Sequence, residues 1–404
     1  MSKKKILFIS QYFYPEVFKG NDIAFDLAKD NEVTVVTAIP NYPHGKFYKG
    51  YGFFMKNKET INGVTIIRVP IFPRGKGGAI SLLLNYVSYA ISASIYIIML
   101  AMRKKFDCIF VQQLSPVTLA LPAVLYKKIH NVPLYLWVLD LWPESLHSAG
   151  GINNKYILGF FEKIVRIIYN NSSQILISSK GFESSITKKG VNQDKIIYFP
   201  NWAENVFTSP LKDSVELPTL YSGFRVLFAG NIGEAQDFES IMKTALLLKT
   251  RTDIKFIIAG DGRKKAWIEN FIRENDLKDN IQLLGKLPLK LMPKLFECSD
   301  ILLVTLKDEL IFNLTAPAKI QAYMAASKPI IAMLNGEGAT LIQEANCGIS
   351  VNAGEFENLA KEIICFTTKP KDELLKMGEN GKLFCEDNFD MHTCLSNLRK
   401  IMNV

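Results

Sequence analysis

The chain has 404 residues, a formal charge of +9 and six cysteines. That length exceeds what one hydrophobic core supports, so two domains of about 200 residues each are expected. The positive balance favours a phosphate-rich ligand, an anionic membrane surface or nucleic acid; with no CxxC pair and most cysteines inside apolar runs, the thiols read as reduced and cytosolic rather than metal-binding.

The start, MSKKKILFISQ, has the basic opening of a signal peptide, but its apolar run ends after five residues, too soon for an h-region. It reads as a first strand, 5–9. Further strands are expected at 32–37, 64–70, 107–111, 133–139, 174–178 and 195–199, separated by helical patterns at 21–30, 117–129, 155–170 and 180–188. This alternation predicts an open parallel sheet with helices on both faces. Between the third and fourth strands, residues 79–102 carry no charge and are long enough to span a bilayer. Ser81, Asn85, Ser88 and Ser92 recur there at helical spacing, and Arg74, Lys76, Arg103, Lys104 and Lys105 flank the segment. A span would also part the strands on either side of it. The segment therefore reads as a crossover helix that lies at anionic headgroups or is simply buried.

The strand at 133–139 stops at DLWPES, where Asp140, Trp142, Glu144 and Ser145 follow in quick succession. Two roles are open: a ligand met by these polar groups and the indole, or Asp140 capping the turn with Trp142 in the core. Residues 208–222, with Ser209, Pro210, Pro218 and Gly223 in and beside them, read as a linker. A second series of strands follows at 225–229, 254–259, 281–284, 300–305, 329–333 and 348–351. Two doubly wound domains in tandem would bind ligands beyond their strand ends, in a cleft.

Several turns of this second half suit an anion. RVLFAGNIGEAQDF carries a strand into Gly230-Asn231-Ile232-Gly233, which is either a phosphate turn or a bare tight turn. FIIAGDGRKK places Arg263, Lys264 and Lys265 at a helix start, where cations oppose the dipole unless an anion joins them. Lys319, in LTAPAKIQAYMAASKPIIA, occupies the same unfavourable place, and GEGATLIQEANCG supplies another Gly-rich turn with Glu344 on its helix. No Ser-His-Asp order or HExxH motif occurs, four histidines argue against a His-rich metal site, and no aromatic-basic module indicates nucleic acid.

Taken together, QYFYPE, WVLDLWPES, FPNWAE, FAGNIGEAQ, GDGRKK, PAKIQAYMAASKPIIA and QEANCG resemble the family 4 glycosyltransferases along nearly the whole chain. Within that family they are most similar to the bacterial surface-polysaccharide branch of L-fucosamine (N-acetyl-L-fucosaminyl) transferases, WbuB-like. The resemblance implies a GT-B fold: two Rossmann-like α/β domains facing across a cleft, at 1–205 with a returning helix at 387–404, and at 206–386. It implies a retaining enzyme with no cofactor and no metal, moving an N-acetylated deoxyhexosamine such as L-FucNAc from a UDP-sugar to a lipid-diphosphate-linked saccharide. The setting would be O-antigen or capsule synthesis, with the protein peripheral on the inner face of the cell membrane.

Carried over by position, Asp140, Lys319 and Arg263 would be catalytic. Gly230, Asn231, Gly233, Gly285, Lys286, Leu287, Pro317 and Glu344 would hold the nucleotide-sugar, with 285–287 at the base and Glu344 at the ribose. Glu16, Gly20, Trp142, Glu144 and Ser145 would hold the acceptor. The chain departs from the family pattern at several points. Asn231 and Gln236 stand where many members have an Arg/Lys clamp, Leu314 and Ala322 replace a Glu-seven-Glu pair, and Leu139 replaces a His before Asp140. These departures leave room for a catalytically silent nucleotide-sugar-binding scaffold of the same fold. A GT-B epimerase is a third reading, without a His-rich catalytic set to support it.

Overall fold

The computed structural model describes residues 3–148, 151–208 and 216–404. The chain forms two compact units, Met1–Pro200 with Leu395–Val404, and Asn201–Cys394. Ser209 and Pro210 of the expected linker lie outside the described residues. The part that follows is not free: Gln282 Nε2 donates to Thr219 O at 2.7 Å and Tyr221 N to Gln282 Oε1 at 3.0 Å, so it runs beside the edge strand that holds Gln282.

In the first unit the strands are β1 (Lys5–Ile9), β2 (Glu32–Ala38), β3 (Lys58–Ile61), β4 (Val64–Val69), β5 (Cys108–Gln113), β6 (Leu134–Val138), β7 (Gln174–Ile177) and β8 (Ile196–Tyr198). They lie in the order β3-β4-β2-β1-β5-β6-β7-β8, all parallel except the β3–β4 hairpin. Strands buried on both faces read as continuous apolar runs, and all five residues of β6 are buried. Strand β3 was not expected, because KETI has no apolar run and is half exposed. Its cue is Asn62-Gly63, with φ of 48° and 80°, the residue pair a tight hairpin turn requires.

The second unit has β9 (Phe224–Ala229), β10 (Ile254–Ala259), β11 (Ile281–Gly285), β12 (Ile301–Thr305), β13 (Ile330–Met333) and β14 (Gly348–Val351), all parallel, in the order β11-β10-β9-β12-β13-β14. Alternate residues feed two cores. Leu227, Ile257 and Leu302 pack with Ile320 and Tyr323 on one face, and Val226, Phe228 and Ile258 with Phe238 and Ile241 on the other. Strand order reverses between β9 and β12 here, and between β1 and β5 in the first unit. Those are the places where doubly wound sheets open a crevice at their carboxyl ends.

The chain's last helix, Met391–Met402, is parted from the preceding Lys371–Phe389 at Asp390, whose Oδ1 accepts from Thr393 N at 2.7 Å. Its Arg399 reaches Asp26 and Asp30 of the first unit, each at 2.8 Å.

The segment expected as a crossover helix is helical over Ala79–Ala101. Its polar stripe faces inward: buried Asn85 donates to Phe72 O at 2.6 Å and accepts from Gln11 Nε2 at 2.8 Å, and the Tyr89 hydroxyl reaches Val36 O at 3.2 Å. Ile80, Leu84, Val87, Ile91, Ile95, Ile98 and Met102, spaced by three and four, are left exposed on the outside.

Candidate functional site

In the second unit the turns after β9 and β10 meet backbone to backbone. Gly230 N donates to Ala259 O at 2.9 Å, Ile232 N to Asp261 O at 2.8 Å and Gly260 N to Gly285 O at 2.8 Å. A Cβ on Gly260 would stand 1.8 Å from Gly230 O, and one on Gly262 2.2 Å from Ile232 O. The glycines are required for this contact, which corrects the expected amide cradle. Gly230 and Ile232 amides are spent inside the unit, and Gly233 N donates to Gln236 Oε1 at 3.2 Å. Asn231, exposed, is the member of the turn whose amide takes no part in these bonds.

The cation of this region is Lys319. It sits second in the helix Ala318–Ala325, whose N-cap, Pro317, offers no side-chain bond and whose first turn has no acid. Its side chain runs beneath Gly230, where a Cβ would lie 2.5 Å from Lys319 Cε and 2.9 Å from Nζ. With φ at +140°, Gly230 both adopts the turn and leaves the space. Nζ lies 3.7 Å from the centre of the Phe228 ring, and among the described residues no carboxylate or hydrogen-bond acceptor joins it. Burial pushes the ammonium down to about 7. An amine largely buried against a π face without a counter-charge costs stability, and such a group marks a place where an anion completes the structure.

The neighbouring cations divide. Lys264 is engaged by Glu239 at 2.9 Å and Glu234 at 3.2 Å, which hold its ammonium above the ordinary lysine range. Arg263 is exposed, with no carboxylate at ion-pair distance among the described residues. Gly285 has φ of +68° and open space where a Cβ would go, Lys286 is exposed, and Leu287 packs on the Ile320–Tyr323 core. Pro317 approaches Gly338, at the start of the helix Glu337–Glu344; a Cβ there would be 3.2 Å from Pro317 Cδ. Both helix N-termini thus lie together at the carboxyl edge of the sheet. Glu344 is misplaced for a ribose contact at that edge. It ends its helix just before β14 begins, so it lies at the opposite edge, about 12 Å of helix away.

In the first unit the polar groups of DLWPES bind one another. The Asp140 carboxylate accepts from the Ser115 and Ser145 hydroxyls and from Trp142 Nε1 at 3.2 Å. Burial raises its pKa while these donors pull it back. Trp142 is 5 % exposed and meets Phe161 edge-to-face at 5.0 Å, so it has no free face for a sugar and is corrected to a core residue. Glu144 Oε1 takes the Lys189 ammonium and the Ser185 hydroxyl, the latter at 2.5 Å, and Oε2 is buried with no donor among the described residues. Asp140, Glu144 and Ser145 therefore brace this turn, and the expected outward carboxylate is absent.

Glu16, 2 % exposed, receives Asn41 N and Tyr42 N on one oxygen, each at 2.6 Å, and burial lifts its pKa to about 7. It ties the turn after β1 to the turn after β2. Gly20 makes room for Gln112, whose Oε1 would be 2.0 Å from a Cβ there. The residue overlooked in the sequence is Phe228, the floor under Lys319. Period-two alternation puts it opposite Leu227, but nothing local announces a lysine over its ring. Among the described residues, no cluster of three or more His, Cys, Asp or Glu could hold a metal ion.

Residues 223–369 match the family Glycosyl transferases group 1. The chain is similar to the putative colanic acid biosynthesis glycosyl transferase WcaI of Escherichia coli K12, 26% identical over 320 residues that cover 75% of this chain and 77% of that one. Among solved structures, it is similar to Anabaena HepE in complex with UDP, with TM-score 0.70, 13% identity and 99% of each chain covered. Sucrose-phosphate synthase of Thermosynechococcus elongatus superposes with TM-score 0.76 at 14% identity, covering 99% of this chain and 98% of that one. The fold is GT-B.

Proposed function

With the chain a glycosyltransferase whose residues 223–369 form a group 1 domain, we propose that it moves a sugar from a UDP-sugar, with retention, to a lipid-diphosphate-linked saccharide in surface-polysaccharide synthesis. The observation that carries the donor half is the half-buried Lys319 beneath Gly230, with no carboxylate or hydrogen-bond acceptor at its ammonium among the described residues. An ammonium fixed in a largely buried site stabilises charge developing on a departing diphosphate more than one in water. HepE was crystallised with UDP and with UDP-glucose, which supports a uridine nucleotide donor here. In the reaction the sugar C1–O bond to UDP breaks, a glycosidic C–O bond forms to the acceptor hydroxyl, and that hydroxyl's proton passes to the departing UDP. This course needs no protein nucleophile. WcaI, named for colanic acid biosynthesis, supports a polysaccharide setting, and the sequence resemblance favours an N-acetylated deoxyhexosamine such as L-FucNAc as the sugar.

The acceptor half includes a membrane. The outward row from Ile80 to Met102, with cations at both ends, suits a helix lying in the plane of an anionic leaflet on the inner face of the cell membrane. Spanning would strip Asn85 and Tyr89 of their partners in the first unit.

The test is UDP release from a panel of UDP-sugars, with and without a prenyl-diphosphate-linked sugar. Release that depends on both is expected and is lost in Lys319→Gln; equal release by that variant would overturn the site. Flotation with anionic vesicles, reversed by high salt or carbonate, is the expected membrane result, and protein that only detergent releases would favour a span.

A further inference from the structure

We infer that Arg74, framed by Tyr12, Tyr42 and Tyr86 at the amino end of the helix Ala79–Ala101, binds the diphosphate of a lipid-linked acceptor; this rests on the acceptor half of the proposed function. The guanidinium carbon lies 5.7 Å from the Tyr12 ring, 5.4 Å from Tyr42 and 5.8 Å from Tyr86. Its Nη1 bonds the Tyr12 hydroxyl. Four other arginines, Arg68, Arg166, Arg251 and Arg399, each hold a carboxylate. Half-buried Arg74 holds none among the described residues. The nearby Glu16 is turned to the amides of Asn41 and Tyr42 instead. A guanidinium has five donors in a planar fork, and the Tyr12 and Tyr86 hydroxyls that bond it are too few to fill that fork.

The backbone around it is braced. Arg74 N donates to Asn41 Oδ1 at 3.0 Å, Gly75 N to Gly45 O at 2.9 Å and Gly77 N to Arg74 O at 3.1 Å. The helix that follows has no side-chain cap at Gly78 and no acid in its first turn, so its amide end adds positive potential beside Arg74 and the exposed Lys76. Apolar surface begins at once: Phe72, Ile80, Leu83 and Leu84 are all exposed. A fixed cation at the head of an outward apolar row complements an amphiphile with an anionic diphosphate head and a hydrocarbon tail.

Calorimetric binding of geranyl diphosphate, geraniol and inorganic diphosphate to the full chain carrying Lys319→Gln, which silences the other proposed diphosphate site, tests this. Geranyl diphosphate should bind at least tenfold more tightly than either geraniol or inorganic diphosphate. Adding Arg74→Gln should weaken it tenfold or more, and Arg74→Lys less, because a point charge replaces the fork. Unchanged affinity in Arg74→Gln, or no binding to the parent, would overturn the inference. Inorganic diphosphate binding as tightly as geranyl diphosphate would make the ligand a free anion and overturn the lipid assignment. Should Arg74→Gln fail to fold, Arg74→Lys and Tyr86→Phe carry the same comparison. Transfer by the wild-type chain to a prenyl-diphosphate-linked sugar is read separately, so a wrong acceptor class and a wrong clamp give different failures.

Discussion

Asp140 and Lys319 are both half-buried charged side chains at the carboxyl edge of a parallel sheet, one in each unit, and they differ in their partners. Asp140 is met by Ser115, Ser145 and Trp142. Lys319 is met by the face of Phe228 and by the space under a glycine. A buried charge that its own fold satisfies is part of the architecture, whereas one left unsatisfied lowers stability until a ligand arrives. Motif position alone made both look catalytic.

The strongest way to break this comparison is at Lys319. Lys319→Gln should lower transfer by about 10² or more, some 3 kcal/mol, and weaken UDP binding in calorimetry. Lys319→Met should melt higher than wild type while remaining inactive, since it deletes an uncompensated charge; a lower melting temperature would show that the ammonium has a partner in the free protein. The converse holds at Asp140. Asp140→Ala leaves two hydroxyls and an indole N–H without their acceptor, and should cost about 3 kcal/mol in denaturant unfolding with UDP affinity unchanged. Loss of UDP affinity there would end the distinction.

Glu16 sharpens it through pH. Its carboxyl titrates near 7 when folded and near 4.5 when unfolded, so between those values the folded chain holds the extra proton and stability falls as pH rises. Glu16→Gln should therefore gain on wild type by about 3 kcal/mol between pH 4 and pH 8, read from melting curves across that range. A constant difference would mean the two amide bonds outweigh burial. The smallest effect is again at Lys319, whose ammonium loses its proton near 7. Binding UDP should restore it, so at pH 8 close to one proton is taken up per UDP, measured by calorimetry in buffers of different ionisation heat. Affinity should fall about tenfold per pH unit above 7. No uptake would place the diphosphate elsewhere.

Much of the fold was legible because strands buried on both faces must be apolar along their whole length, as in LYLWV of β6. The hairpin strand β3, polar and at an edge, escaped that rule. Gly230, Gly260 and Gly262 were legible as turns, but their purpose was not. They allow backbone-to-backbone contact between segments about 30 residues apart, and that contact consumes the amides expected to hold phosphate. Glu344 was misjudged by proximity to a motif, although a parallel strand–helix–strand unit carries the end of its helix to the far edge.

By itself, then, the sequence determined the alternation of elements and the presence of a lysine in a helix's first turn where a cation is unwelcome. Pairing was decided only in three dimensions. Ser115 meets Asp140, and Lys189 meets Glu144, across 25 and 45 residues of chain. The outer face of Ala79–Ala101 was settled the same way, since Asn85 found Phe72 and Gln11 and turned the polar stripe inward. Periodicity shows that a helix has two faces. Which one meets the protein depends on the hydrogen-bond partners that other segments bring, because a buried amide side chain must be satisfied while an exposed isoleucine need not be.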